Sequence, residues 1–267
     1  MNLRKYITLT RAGIIEALQF RTSTLTIVAG NIIYMIIVYF LWKSIYASAG
    51  TDVVNGMTFH DTLIYLVLAT ALFGFMETYL VWSMGPAIQT GKIVLDLLKP
   101  MEYRSYIFWS YSGNFIMNFL TTFLPTFIII YFMTNGTMHL GINLLFFVTS
   151  VVMAVAINYS IDFIVGTICL YTESIWGINI MKEVIVLLLS GATIPIAFFP
   201  EPLKTIVYYL PFQSVYNAPL TILIDHKMPV QDIAVTLGMQ FFWCIIMITA
   251  NKLFWKISLR KITVNGG

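Results

Sequence analysis

Long apolar runs separated by short polar stretches dominate the chain. Six of them lie near residues 24–46, 61–85, 106–134, 142–171, 178–199 and 230–255. Each has the length of a membrane-crossing helix, since about 20 mostly apolar residues cross ~30 Å of hydrocarbon. A transmembrane barrel needs short strands of alternating polarity, and these runs do not alternate. Residues 1–21 differ. Arg4, Lys5, Arg11, Glu16 and Arg21 interrupt the run, while Leu3, Ile7, Ile14 and Leu18 fall on one helical face. The pattern predicts an amphipathic helix in the headgroup region, with its basic residues toward anionic lipid. No clean apolar core ending in a small-residue cleavage site marks a signal peptide.

Two connections stand out. Residues 86–104 form the longest internal loop, and Ala87 to Leu98 reads as one helix ended by Pro100. Ile88, Leu95 and Leu98 share a face in that reading, with Lys92, Asp96 and Lys99 as polar contacts. Such a helix suits docking of a soluble partner, and equally a helix that lies on lipid. Residues 200–229 hold Pro200, Pro202, Pro211 and Pro219 among apolar neighbours. Proline removes a backbone donor and breaks helices, so this stretch predicts two short helices dipping part-way into the membrane, shielded by protein. Residues 135–141 are hardly more than a turn. With no polar linker, residues 1–267 read as a single all-α integral membrane domain with six transmembrane helices.

Composition agrees. Charged residues are 10% of the chain and hydrophobic residues 59%, with a mean hydropathy of +0.84. A soluble domain carries about 25% charged residues, so a water-soluble globule is excluded. The Lys and Arg distribution orients the chain. Twelve lie in the N-terminal segment, in the loop with Lys92, Lys99 and Arg104, at Lys182 in the fourth-to-fifth connection, and at the C-terminal end. Only Lys43, Lys204 and Lys227 lie opposite. Both termini are therefore expected to be cytoplasmic. Trp42, Trp82, Trp109, Trp176 and Trp255 fall near span ends as interfacial anchors, and Trp243 reads as packing.

Candidate chemistry is sparse. Gly91-Lys92 is not a phosphate-binding loop, because position 86 is Pro86 and position 93 is Ile93, where Gly and Ser or Thr are needed. His60, His139 and His226 lack partners at ligand spacing, so no metal is expected. Cys169 and Cys244 lie in apolar runs and support no disulfide framework. No basic stripe with interleaved aromatics suggests nucleic acid. Ser150 and Ala154 have the small-xxx-small spacing of close helix approach. Two acids fall inside spans, Glu77 and Asp162, the latter one turn after Asn158. Ionisable groups in hydrocarbon are costly and mark functional positions. Both substrate or gating contact and structural hydrogen bonding fit them. With no Lys or Arg at mid-depth, pairing within the chain is expected to be limited.

The segments GKIVLDLLKPMEY (91–103) and LSGATIPIAFFPEPLKTIVYYLPFQSVYNAPLTIL (189–223), together with the layout of the whole chain, resemble the type-2 family of ABC transporter permeases. More narrowly, they look like a bacterial subfamily of this length, long catalogued as a domain of unknown function. The resemblance implies an export permease in the bacterial cell membrane that is not itself an enzyme. It implies a second permease chain, homologous or identical, and two copies of a separate ATPase that carries the ATP and Mg. The ATPase would couple through Ile88, Gly91, Lys92, Leu95, Asp96, Leu98, Lys99 and Pro100. An external gate would involve Phe199, Pro200, Leu210, Pro211 and Phe212. An ion-coupled secondary transporter using Glu77 and Asp162 is the main alternative, although no internal repeat is visible. A lipid-modifying enzyme would need clustered acids or histidines, and Asp96, Glu102, Glu173 and Glu183 do not have ligand spacing. A permease half that only contributes walls is a third reading.

Overall fold

The computed structural model describes residues 3–19, 21–134, 141–172, 174–225 and 228–261. The turn predicted at 135–141 therefore lies outside the described residues except for Gly141, as do His139, Glu173, His226 and Lys227. The helices are α1 (Leu3–Gln19), α2 (Arg21–Ala49), α3 (Phe59–Met76), α4 (Leu80–Gln89), α5 (Ile93–Leu97), α6 (Tyr103–Asn118), α7 (Leu124–Met133), α8 (Asn143–Ile168), α9 (Ile175–Leu189), α10 (Glu201–Tyr208), α11 (Asn217–Ile224) and α12 (Val230–Ser258). A two-residue hairpin, β1 (Val53–Val54) with β2 (Met57–Thr58), joins α2 to α3. Asn55 and Gly56 turn it with φ of 50° and 82°, the mirror-image turn that Asn-Gly favours. Thr58 and Asp61 then cap α3 reciprocally.

Among the described residues, five stretches are helical, long and apolar enough to cross a membrane: Ile32–Ala49, Phe59–Gln89, Tyr103–Met133, Asn143–Ile168 and Val230–Ser258. The run predicted at 178–199 is not one helix. It begins earlier, at Ile175, and stops at Leu189. Its 15 residues rise about 22 Å at 1.5 Å each, short of the hydrocarbon thickness. Gly191 follows with φ of 81°, and Pro195 leads into a tight turn at Ile196–Phe198. A left-handed residue and a missing N–H end the helix there.

Two other predicted spans are interrupted. The second breaks between Met76 and Leu80, where Glu77 adopts an extended conformation. The third carries a π-helical turn at Phe119–Phe123, just before Pro125. A proline inside a helix lacks its N–H and crowds the carbonyl four residues back, and a widened turn relieves that crowding.

The core lies where α3, α8 and α11 meet. Leu68, Leu72, Met76, Ala154, Ile157, Leu220 and Ile222 are all fully buried there. A second buried cluster binds the ends of α4, α5, α6, α8 and α12 through Leu80, Met84, Ile93, Tyr103, Phe163 and Trp255. Tyr103 and Trp255 stack with centroids 4.9 Å apart. Trp255 and Trp42 are thus core residues rather than interfacial anchors, whereas Trp82, Trp109 and Trp176 are exposed. By contrast, α2 and α9 expose broad apolar faces, including Ile33, Ile37 and Phe40 on α2 and Trp176, Met181 and Leu188 on α9.

The N-terminal amphipathic helix is present as α1. It packs on α6 through small residues rather than through its apolar stripe. Thr10 Oγ1 and Ser112 Oγ lie 2.6 Å apart. A Cβ on Gly13 would sit 2.7 Å from the Ser110 carbonyl oxygen, and one on Gly113 would meet the backbone of Thr10, Gly13 and Ile14. Ile7, Ile15 and Leu18 remain exposed, as a helix resting on lipid requires. Gly113→Leu is therefore expected to separate α1 from α6 at a cost of about 1–3 kcal/mol, the usual penalty of overpacking. Faster proteolysis within residues 3–19, together with a lower unfolding temperature in detergent, is the expected readout.

Candidate functional site

The break in the second span organises a buried polar cluster. Ending α3 at Met76 frees its carbonyl, and Asn158 Nδ2 of α8 donates to that oxygen at 3.0 Å. One turn later on α8, the fully buried Asp162 takes two partners. Lys182 Nζ of α9 donates to Oδ1 at 2.9 Å, and Thr78 Oγ1, inside the break, donates to Oδ2 at 2.5 Å. Asn179 Nδ2 donates to Glu183 Oε1 at 2.5 Å, one turn from Lys182. Glu77 is half-buried at the same level; its N–H donates to the Phe73 carbonyl at 2.8 Å, and its carboxylate makes no hydrogen bond among the described residues.

Two expectations change here. Lys182 is not in a loop. It is the eighth residue of α9, and it neutralises Asp162 directly. The long, flexible lysine stem lets a charge near the end of a span reach inward to a carboxylate, so pairing within the chain is available after all. The cavity among Glu77, Thr78, Asp162, Lys182 and Tyr216 is only about 30 Å³. That admits a water-sized group or two, and no larger solute, in this conformation.

Below the break, α4 leads into the loop predicted to couple. Residues 87–98 are two helices rather than one. Gly91, with φ of 72°, turns the chain between α4 and α5. Glycine accepts that left-handed conformation without steric cost. The turn removes Ile88 from the face shared by Leu95 and Leu98: Ile88 packs against the second buried cluster instead. Ile93 is buried and pins α5 to that cluster, while Leu95 and Leu98 are 64% and 76% exposed. Lys99 Nζ donates to Asp96 Oδ1 at 2.7 Å and lies 3.7 Å from the centroid of the Tyr106 ring. Partial burial pulls the Lys99 ammonium down, but Asp96 and Tyr106 outweigh it and hold its pKa above the usual lysine value. Tyr159 OH donates to the Arg104 carbonyl at 2.8 Å and fixes the far end of the loop to α8. Lys92 and Pro100 are exposed at its edges.

On the opposite side of the break, the proline-rich stretch contains two short helices, α10 and α11. Pro200 is the N-cap of α10, and Phe199 just before it is half-buried. Between the two helices, Pro211 is buried, while Leu210 and Phe212 are half-buried. The segment is tied down by amides. Gln240 Nε2 of α12 donates to the Ser214 carbonyl at 2.8 Å, and Ser150 Oγ donates to Gln240 Oε1 at 2.7 Å. Tyr65 OH donates to Asn217 Oδ1 at 3.3 Å. The close approach expected at Ser150 and Ala154 is present, as both are fully buried.

Thr78, Lys182 and Gln240 were not singled out from sequence. A lone amide within an apolar run was the available signal for Gln240. Nothing in sequence spacing pairs Lys182 with Asp162. Among the described residues, no group of His, Cys, Asp and Glu is arranged to hold a metal ion.

The family described as ABC-2 family transporter protein matches residues 32–266. The chain belongs to that family. A comparison with curated proteins found no match. ABC-2 proteins are membrane permease components of ABC transporters that work with an ABC ATPase, so this chain is a transporter permease subunit embedded in a membrane. In this ABC-2 permease, the broken second span lies between the residue 86–104 loop and a buried ion pair.

The ion pair predicts an asymmetric mutational response. Lys182→Met strands a buried carboxylate and is expected to destabilise the protein by about 3–5 kcal/mol. Combining it with Asp162→Asn is expected to restore most of that loss. Unfolding curves of Lys182→Met, Asp162→Asn and the double variant in detergent check this, and additive losses would contradict the pairing.

Proposed function

We propose that the chain is half of an ATP-driven exporter in a bacterial cell membrane. It pairs with a second permease chain, homologous or identical, and two ATPase copies dock on the face that carries residues 86–104. The observation that carries the reading is the loop at the inner end of span two. Ile93 and the Tyr159–Arg104 bond anchor it at both ends. Leu95 and Leu98 nevertheless stand in the open between exposed Lys92 and the Lys99–Asp96 pair. Exposed leucines on a rigid support, rimmed by charge, match a protein-binding surface. The bias of Lys and Arg supports a cytoplasmic location for this face and both termini, on the side where ATP is found. ATP and Mg belong to the partner, and this chain supplies no nucleotide site.

Closure of the ATPase dimer would push α5 and α4 as one lever. The break at Glu77–Tyr79 is the natural hinge, since the helical ladder is interrupted between α3 and α4 there. The Asp162–Lys182–Thr78 cluster would hold one lever position and yield in the other. The chain shifts only as far as the ATPase distinguishes its two states. At the outer side, α10 and α11, with Phe199, Pro200, Leu210, Pro211 and Phe212, would form a re-entrant gate that cargo passes. The exposed apolar faces of α2 and α9 supply surface for lipid and for the second permease. The outward direction follows from resemblance to exporters.

An ion-coupled transporter is disfavoured by the same cluster. Asp162 is neutralised by Lys182 within the chain, so it needs no external cation.

The test is to replace Leu95 and Leu98 together by Asp. The expected result is at least about a tenfold loss of ATPase co-purification, since losing central apolar contacts costs more than 1.4 kcal/mol. Undiminished co-purification would remove the loop from the interface.

A further inference from the structure

A second cleft lies beside the coupling loop, with a volume of about 540 Å³. Arg4, Lys5 and Leu9 of α1 form one wall, and Lys99, Met101 and Tyr106 the other. Three cations from two separate elements therefore line one space. Asp96 matches only Lys99. Among the described residues, neither Arg4 nor Lys5 is in an ion pair. Like charges gathered in a cleft concentrate counter-ions, so this one favours an anion.

The surroundings say which anion. Trp109 is exposed and packs on Tyr6, with ring centroids 5.4 Å apart, a few residues from the cleft. Exposed tryptophan near the end of a span sits at headgroup level. The exposed Ile7, Ile15 and Leu18 continue along α1, where acyl chains would lie. Leu9 and Met101 give the cleft itself an apolar side. A phosphate joined to an acyl tail satisfies both surfaces, and a free phosphate satisfies one.

We propose that this cleft binds the phosphate headgroup of an anionic phospholipid of the inner leaflet. The lipid bridges α1 to the coupling loop through Arg4, Lys5 and Lys99. This rests on the cytoplasmic placement of that loop proposed above. Lipid composition would then influence how firmly the loop is seated before an ATPase meets it.

The test uses the full-length chain in nanodiscs of phosphatidylglycerol mixed with phosphatidylcholine, with retained lipid identified by native mass spectrometry. Wild-type protein is expected to retain phosphatidylglycerol preferentially. Arg4→Gln with Lys5→Gln is expected to lower that preference about tenfold or more, since one basic residue near an anionic surface is worth about fivefold. Both side chains are exposed, so α1 is expected to stay folded. Lys252→Gln with Lys256→Gln, on exposed positions of α12, is expected to keep the preference. No preference in the wild type overturns the site, and an equal loss in the α12 variant assigns the binding to diffuse charge and overturns it too. Millimolar inorganic phosphate that stabilises the chain in pure phosphatidylcholine as well as phosphatidylglycerol does would make the ligand a free anion and overturn the lipid assignment. A preparation that carries its ATPase yet shows no lipid preference overturns this site alone and leaves the docking assignment standing.

Discussion

Hydrocarbon offers no hydrogen bonds, so each departure from helix inside the membrane must be satisfied by the protein itself. That constraint explains where this chain places its few polar side chains. The carbonyl freed at Met76 receives Asn158. The carboxylate of Asp162 is closed by Lys182 and Thr78. The irregular segment before the last span receives Gln240 from α12. Asn158, Asp162 and Gln240, three of its buried polar side chains, thus serve interruptions of its helices.

The break in the second span also falls between two buried clusters. The buried cluster of α4, α5 and α6 shares α8 with the main core of α3, α8 and α11, and the break at Glu77–Tyr79 lies where the second span passes from one to the other. Ile93 and Tyr103 hold the loop to the former cluster. A push on Leu95 and Leu98 would therefore reach the Asp162–Lys182 pair through packed side chains rather than dissipate in a flexible loop. The cavity at that pair is too small for cargo, which fits a structural latch better than a binding site in this conformation. Transport through this region would require the latch to open.

Much of the architecture was legible in the sequence because apolar run length is a strong signal. The long spans follow from it, while the N-terminal helix follows from its one-faced apolar spacing and the paired short helices before α12 from their prolines. The interruptions were harder to read. The break after Met76 has no proline or glycine at its centre, and it is stabilised by Asn158, some eighty positions away. Leu95 and Leu98 share a face in the sequence, and both are exposed in the structure. Their separation from Ile88 depends on Gly91 adopting the left-handed conformation, which a helical-wheel reading of 87–98 overlooks. The position of Lys182 between two apolar runs reads as a loop charge, since a lysine there ordinarily marks the water phase. Here its stem reaches a buried acid instead. The small-residue packing of α1 on α6 was hidden for a related reason, since the apolar stripe drew attention while Gly13 and Gly113 made the contact.

The account stands or falls on the side of the membrane that carries the loop. Thiol labelling addresses this directly, with a single cysteine at Leu98→Cys or Leu203→Cys after Cys169 and Cys244 are replaced by Ala. Leu98 and Leu203 are both exposed, so reagent access depends on sidedness. With an impermeant reagent on intact cells, the account predicts labelling at position 203, and labelling at position 98 only after the membrane is opened. Labelling at position 98 in intact cells would put the loop out of reach of any ATP-driven partner and contradict the account.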